Sequence, residues 1–591
     1  MSQELPWGLF PAPRHVEEVG EGLRSYDPEV SYRTAPELPA EGYELSIGPR
    51  GIDIRHADAA GMRYASGALA QLREHCEPDL PGLRIRDWPD FPVRGYMLDI
   101  SRDRVPTRET LERIVDLLEL FRINQLQLYT EHAFAYVDHE EVWCDASPMT
   151  PEDVRWLDDF CRQRGVELVA NQNGFGHMGR WLSCERYRSR AEAPEGWTAP
   201  WGASMSPGVL APTPDNADFV LRLMRELLPN FKSRRINIGC DETFELGQGV
   251  SRAEVERRGR GEVYLEFLNR LLRGLHADGC EVQFWGDIVR QHPELVSSLP
   301  RENTLALVWH YEAPVEGPIR LSPVQLKQLE MFGVSEATLR GFVGQVAPFV
   351  ESDVPYWVCP GTSTWNSLIG RLPNALANMR DAAEVGGAQG ARGYLITDWG
   401  DNGHMAPPSI GFAPLAYGAA VAWCLESNRD IDVVEALNES VFEDRAGELG
   451  GVIRDIGELF SRTGIHTPNG SPLQFALIRK DSATPFQTGA ADRAGLQDVL
   501  ERLADAETRV ARSQPRCGDG ELVRREIAQA LRMARHGAWL LQRSAGFECP
   551  KEAELRDDLL ACIEEQRATW LARSRPGGLE DSIARLLWAR S

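Results

Sequence analysis

From about Arg94 to Trp423 the chain alternates short apolar runs with longer stretches whose apolar residues recur every three or four positions, the rhythm of repeated βα units. Eight runs read as strands: Tyr96–Ile100, Gln125–Tyr129, Val166–Ala170, Arg235–Gly239, Glu281–Trp285, Leu305–Trp309, Tyr356–Cys359 and Gly393–Thr397. Between the first two, Leu111, Ile114, Val115, Leu118 and Phe121 share one helical face, and ahead of the third Thr150 and Pro151 give an N-cap and first-turn signal. Eight such units predict an α/β fold of TIM type, a (β/α)8 barrel, over residues 91–428. Residues 1–90 combine strand-like YELSIG and GIDIRH with the helical GMRYASGALAQLREH and read as a small N-terminal α+β domain. Beyond the barrel, amphipathic stretches such as GELVRREIAQALRMARHGAWLLQR predict an α-helical C-terminal domain over 429–591. Those helices could make a homodimer interface, cap the site or buttress the barrel, and the pattern does not choose among the three.

Composition narrows the partners. A length of 591 residues suits a barrel with flanking domains. The 42% hydrophobic and 26% charged content is that of a soluble globular protein, and no run approaches the roughly 18 apolar residues of a membrane span. A net charge of -24, with Lys232, Lys327, Lys480 and Lys551 the only lysines, opposes binding to nucleic-acid phosphates. Eleven cysteines without paired CxxC spacing predict reduced thiols, with no metal site and no cofactor. The opening MSQELPWGLFPAPRHVEEVG places an acid and prolines where an export signal would carry its apolar core, so a cytoplasmic location is expected.

In a barrel of this kind the chemistry gathers at the C-terminal ends of the strands. Here those ends read SRDR, TEHAFAY, NQNGFGHMGRW, CDETFELG, FWGD, VWHYE, PGTSTWNSLIGR and DWGDNGH. Taken singly the residues are unremarkable: an Asp-Glu pair such as Asp241 and Glu242 is most often a solvated turn, a strand-end tryptophan is most often packing, and a lone His177 is most often structural. Grouped around one mouth, Trp285, Trp309, Trp365 and Trp399 with interspersed carboxylates match the needs of a pyranose, whose C–H faces pack on rings while its hydroxyls take hydrogen bonds. Consecutive side chains on a strand face opposite ways, so Asp241 and Glu242 can share a site only if the chain leaves strand geometry, which Gly239 makes feasible.

At RGYMLDISRDRVP, NGFGHMGRW, INIGCDETFELG and DWGDNGH, in that order, the chain resembles glycoside hydrolase family 20, the β-N-acetylhexosaminidases; the motifs span roughly residues 94 to 423. The helical extension resembles that of a bacterial subgroup. The resemblance implies an exo-acting, retaining glycosidase that removes terminal β-linked N-acetylglucosamine or N-acetylgalactosamine from oligosaccharides or glycoconjugates. It implies a substrate-assisted route in which the 2-acetamido oxygen attacks its own anomeric carbon to give an oxazolinium intermediate. Glu242 would then be the general acid and base, and Asp241 would orient the acetamide and stabilise positive charge on its nitrogen. By the same resemblance Arg94 holds sugar hydroxyls, His177 stands behind the acid with Glu131 completing a relay, Trp285, Trp309 and Trp399 wall the acetamide and the ring, and Asp401 holds distal hydroxyls.

Three positions depart from the family pattern. Cys240 stands where glycine is usual, Asn173 where aspartate is usual, and PGTSTWNS lacks the usual tyrosine, so the acetamide oxygen is expected to meet Tyr311 or Trp365 instead. Two other readings stand beside this one: a barrel glycosidase using two carboxylates on different strands, Glu242 with Asp401 or Glu312, and a non-catalytic carbohydrate-binding barrel.

Overall fold

A computed structural model describes residues 5–23, 29–76, 78–199, 203–318, 334–478 and 487–587. Its N-terminal region is a five-stranded sheet of β1 (His15–Glu18), β2 (Val30–Thr34), β3 (Tyr43–Gly48), β4 (Gly51–His56) and β5 (Leu83–Asp87) in the order β1-β5-β3-β4-β2. Leu45, Ile47, Ile52 and Ile54 alternate along β3 and β4 with less buried residues, and α1 (Ala59–Cys76) covers the apolar face they form.

Eight parallel strands then close a barrel: β6 (Arg94–Asp99), β7 (Gln125–Tyr129), β8 (Glu167–Asn171), β9 (Arg235–Asn237), β10 (Glu281–Trp285), β11 (Thr304–Trp309), β12 (Tyr356–Cys359) and β13 (Tyr394–Asp398), the last pairing with the first. All eight expected strands are present. The fourth stops two residues early, at Asn237, because Gly239 and Cys240 take φ of 65° and 72°, which a pleated strand cannot accommodate. Helices α2 (Arg108–Leu120), α3 (Pro151–Gln163), α4 (Pro214–Leu227), α5 (Arg260–Ala277), α6 (Phe342–Glu351), α7 (Leu372–Gln389) and α8 (Pro408–Trp423) lie outside. The Thr150 signal is realised as a capping box with Asp153, with Pro151 in the first turn.

Helix α8 is apolar on every side, and each residue from Ser409 to Trp423 is buried. A helix with no polar stripe must be covered all round. The barrel strand β13 lies against it from one side and C-terminal helices from the other. Of these α11 (Gly520–Ser544) meets α8, and it packs in turn on α9 (Pro472–Ile478), α10 (Arg493–Arg512) and α12 (Glu552–Arg573). The end of α12 is stitched to the entry of α2, where Thr107 N–H donates to the Arg573 carbonyl and Arg575 N–H to that of Val105. Of the three roles considered for the C-terminal helices, this packing shows the buttress. Among the described residues no helix is long and apolar enough to cross a membrane.

One expected site residue is misplaced by the resemblance. Arg94 is fully buried at the first position of β6, and five residues of strand separate it from the mouth by about 17 Å. Its guanidinium bonds the carbonyls of Arg122 and Phe91, Tyr64 Oη and Glu41, so it clamps the N-terminal domain to the barrel floor and cannot reach a sugar.

Candidate active site

The turn after β9 is held in an unfavourable backbone conformation. Besides Gly239 and Cys240, Glu242 has a positive φ of 50°, and left-handed backbone at a non-glycine residue costs on the order of 1–2 kcal/mol. Neighbours impose it: Gly239 N–H donates to Asn237 Oδ1 (3.0 Å), Cys240 N–H to Asn173 Oδ1 (3.0 Å) and Glu242 N–H to Asp287 Oδ2 (3.2 Å), while Tyr264 Oη–H donates to the Cys240 carbonyl (2.8 Å). Gly176 packs so closely that a Cβ there would lie 2.2 Å from the Asp241 carbonyl oxygen. The outcome is the departure from strand geometry that two consecutive acids require. Asp241 Oδ2 and Glu242 Oε2 approach the same imidazole nitrogen, His177 Nε2, at 3.3 and 3.4 Å. Their exposures differ: the Asp241 side chain is 8% accessible and that of Glu242 40%.

Two of the departures can now be explained. Asn173 uses its carbonyl to accept from Cys240 N–H and its amide to donate to Asp241 Oδ1 at 2.8 Å. A carboxylate could do only the first of these. Cys240 turns into the core outside the barrel, where its thiol donates to the Ile238 carbonyl. Burial would raise the Asp241 pKa, but His177 and the Asn173 amide outweigh it and hold the carboxyl below its ordinary value. Burial likewise opposes the charged form of His177, and Asp241 and Glu242 override it, raising the ring well above its usual pKa.

On the other side of the ring, the expected relay to Glu131 is interrupted. Glu131 Oε1 lies 3.7 Å from His177 Nδ1, within ion-pair range and beyond a hydrogen bond, whereas Arg102 Nη2 is nearer at 3.2 Å. Arg102, eight residues beyond Arg94, is the arginine that reaches the mouth. It donates to Asp401 Oδ1 at 2.9 Å and lies over the Trp399 ring at 4.9 Å. Glu131 instead accepts from Tyr129 Oη–H at 2.9 Å.

The aromatic box is built as expected, with one addition. Trp285 and Trp399 have ring centroids 5.9 Å apart, Trp309 stacks on Tyr311 at 5.1 Å, and Trp365 meets Tyr311 edge-on at 5.1 Å. Tyr311 Oη accepts the Trp399 Nε1–H at 2.8 Å, and Tyr129 packs edge-on against Trp399. Glu312, considered as an alternative catalytic acid, accepts from both terminal guanidinium nitrogens of Arg371, Nη2 at 2.9 and Nη1 at 3.1 Å.

Sequence reasoning missed Asp287, Arg102, Tyr129 and the double role of Asn173. The signal for Asp287 was present in FWGD, directly after β10. Its pKa is pushed up to about 8, first by burial and then by the neighbouring Asp241.

Comparison with known proteins places this geometry. The family profile "Glycosyl hydrolase family 20, catalytic domain" matches residues 91–318, and "Glycosyl hydrolase family 20, domain 2" matches residues 9–88. A beta-hexosaminidase of Akkermansia muciniphila is 23% identical over 49% of this chain and 64% of its own length. An N,N'-diacetylchitobiase of Vibrio harveyi is 32% identical over 23% of this chain and 15% of its own. The chain thus spans less than two thirds of either relative. Among solved structures, a Flavobacterium johnsoniae chitobiase shares the fold over 98% of both chains at 15% identity with a TM-score of 0.54. A Vibrio harveyi exo beta-N-acetylglucosaminidase does so over 72% of this chain and 74% of its own, at 16% identity and a TM-score of 0.54. The chain belongs to glycosyl hydrolase family 20.

Proposed function

We propose that the protein is an exo-acting, retaining β-N-acetylhexosaminidase that removes terminal β-linked N-acetylglucosamine or N-acetylgalactosamine from glycans. The observation that carries this reading is the pair of consecutive acids on one imidazole, one buried and one open to the mouth, inside a box of aromatic rings. The family supports it, and the Vibrio harveyi relative supports the exo mode.

In the first step the carbonyl oxygen of the substrate's 2-acetamido group bonds to C1 while the C1–O glycosidic bond breaks, and the leaving oxygen takes the proton of Glu242. Positive charge develops on the acetamide nitrogen, and the buried carboxylate Asp241 is the anion that offsets it in a site of low dielectric. Glu242, now ionised, takes a proton from water, whose oxygen attacks C1 and reopens the ring with net retention. Tyr311 is our assignment for the hydroxyl facing the acetamide carbonyl, and Arg102 with Asp401 for the group facing distal sugar hydroxyls. The rival two-carboxylate arrangement fits less well, because Glu312 is held by Arg371 and Asp401 by Arg102.

The test is a substrate comparison. The purified protein should hydrolyse an aryl N-acetyl-β-glucosaminide or galactosaminide and leave the aryl β-glucoside untouched, since the latter lacks the nucleophile. The reverse preference would overturn the proposal. We take the compartment to be the cytoplasm, a reading supported by eleven unpaired cysteines; recovery with exported rather than cytosolic markers on cell fractionation would reverse it.

A further inference from the structure

A segment of the C-terminal helical region enters the mouth of the barrel. The loop at residues 467–471, just ahead of α9, brings Asn469 beside the strand-end loops that follow β11 and β12. Asn469 has φ of 51°, a left-handed conformation that asparagine tolerates better than most residues. In that conformation it makes three bonds to the rim. Its Oδ1 accepts the Trp365 Nε1–H at 3.0 Å, its N–H donates to Glu312 Oε1 at 2.8 Å, and its carbonyl accepts from Asn366 Nδ2 at 3.2 Å. Ser471 N–H donates to the Asn366 carbonyl at 2.7 Å, and Asn402 Nδ2 to Asn366 Oδ1 at 2.8 Å. One short loop therefore joins the rims of two strands, and Asn366 carries the network on to a third.

Within this network Trp365 is the link to the aromatic box. It is buried, and its ring stands edge-on to Tyr311, whose hydroxyl accepts from Trp399. The neighbouring backbone leaves it no slack, for a Cβ at Gly361 would lie 2.4 Å from the Trp365 ring and 2.8 Å from Tyr311. Three side chains in series, Trp365, Tyr311 and Trp399, are thus anchored at their outer end by a residue more than a hundred positions along the chain. Trp285 and Trp357, in the same cluster, have indole N–H groups that find no hydrogen-bond partner among the described residues. Trp365 differs in having a partner, and the C-terminal region supplies it.

We propose that Asn469 is a positioning residue for the acyl pocket: by holding Trp365 it fixes Tyr311 and Trp399 and so sets the size of N-acyl group the site accepts. The inference rests on the proposed function, in which Tyr311, one of the rings of the box, faces the acetamide carbonyl. It assigns to the C-terminal region a part in specificity beyond support of the barrel.

The hydrogen bond can be deleted from either end. Asn469→Ala removes the acceptor, and Trp365→Phe removes the donor while keeping an aromatic ring. Aryl β-glucosaminides bearing N-acetyl and N-propionyl groups are the two substrates. Either variant should raise KM for the N-acetyl substrate about tenfold with a smaller change in kcat, the size of one lost hydrogen bond. The N-propionyl substrate should be little affected, so the acetyl-to-propionyl ratio of kcat/KM falls. The double variant should lose no more than either single one, because both delete the same bond. An equal fall on both substrates, additive losses or no change would each overturn the inference. If Asn469→Ala does not fold, Trp365→Phe decides the matter alone. A wild-type enzyme inactive on the N-acetyl substrate would overturn the proposed function and this inference with it; an active one with an unaltered ratio in the variants overturns this inference only.

Discussion

Replacing Glu242 by glutamine should lower kcat/KM about 10³-fold on substrates with an alkyl or sugar leaving group, within the usual range for removing a general acid or base. Glutamine keeps the shape and neutrality of a protonated glutamic acid and can still face His177, but it can neither give nor take the proton. The side chain is open to the mouth, and its neighbour within the site is His177 Nε2 at 3.4 Å. The substitution should therefore leave stability within about 0.5 kcal/mol of wild type, as expected of an exposed side chain outside the core. The loss should depend on the leaving group. An aryl group that departs as a stable phenolate needs no proton, so its first step should be nearly as fast as in wild type, with the intermediate accumulating because no base activates water. Binding of a thiazoline-type inhibitor should persist. An unchanged rate on the alkyl glycoside would remove Glu242 from its role.

Asp241→Asn should cost about 10²–10³-fold in kcat, the scale of losing one preorganised electrostatic partner of a developing charge. KM should move less, since the acetamide nitrogen is neutral until the transition state. A second readout follows from the histidine. In the native site Asp241 is the strongest influence raising the His177 pKa against burial. With a neutral amide in its place the ring should release its proton at lower pH than in wild type, visible in the imidazole NMR shifts on titration. Folding should be retained, because the substituted amide would still accept from Asn173 and the ring, once it has released its proton, leaves no buried charge unpaired. A variant with the wild-type rate would make Asp241 a structural carboxylate.

Much of this site was legible in the chain alone. The period of the apolar runs located all eight strands, because a barrel strand is a short apolar segment whose length and spacing are fixed by local geometry. The acids, His177 and the tryptophans could be placed because chemistry in such a barrel gathers at one end of each strand. Arg94 failed for a related reason. Arg94 and Arg102 belong to one motif, yet they stand at opposite ends of β6, and only the burial of Arg94 among Glu41, Tyr64 and two carbonyls shows which end is the floor. The break in the Glu131 relay was invisible too, since it depends on Arg102 lying between residues that the sequence only brings to the same rim. Asn173 stood in the sequence only as a departure from the usual aspartate. In the structure its amide makes two different bonds at once, one to the backbone of the strained turn and one to Asp241. Asn469 lay beyond reach, because no local pattern says which distant loop will meet an indole.

In the proposed mechanism the substrate's own acetamide oxygen is the nucleophile and the protein supplies none. This mechanism is tested most directly with a series of aryl β-glucosaminides whose N-acyl methyl group carries zero, one, two and three fluorines. Each fluorine withdraws electrons from the carbonyl oxygen and weakens it as a nucleophile while changing its size little. kcat/KM should fall steeply and monotonically along the series. A rate indifferent to fluorination would contradict it and assign the nucleophile to a carboxylate of the protein.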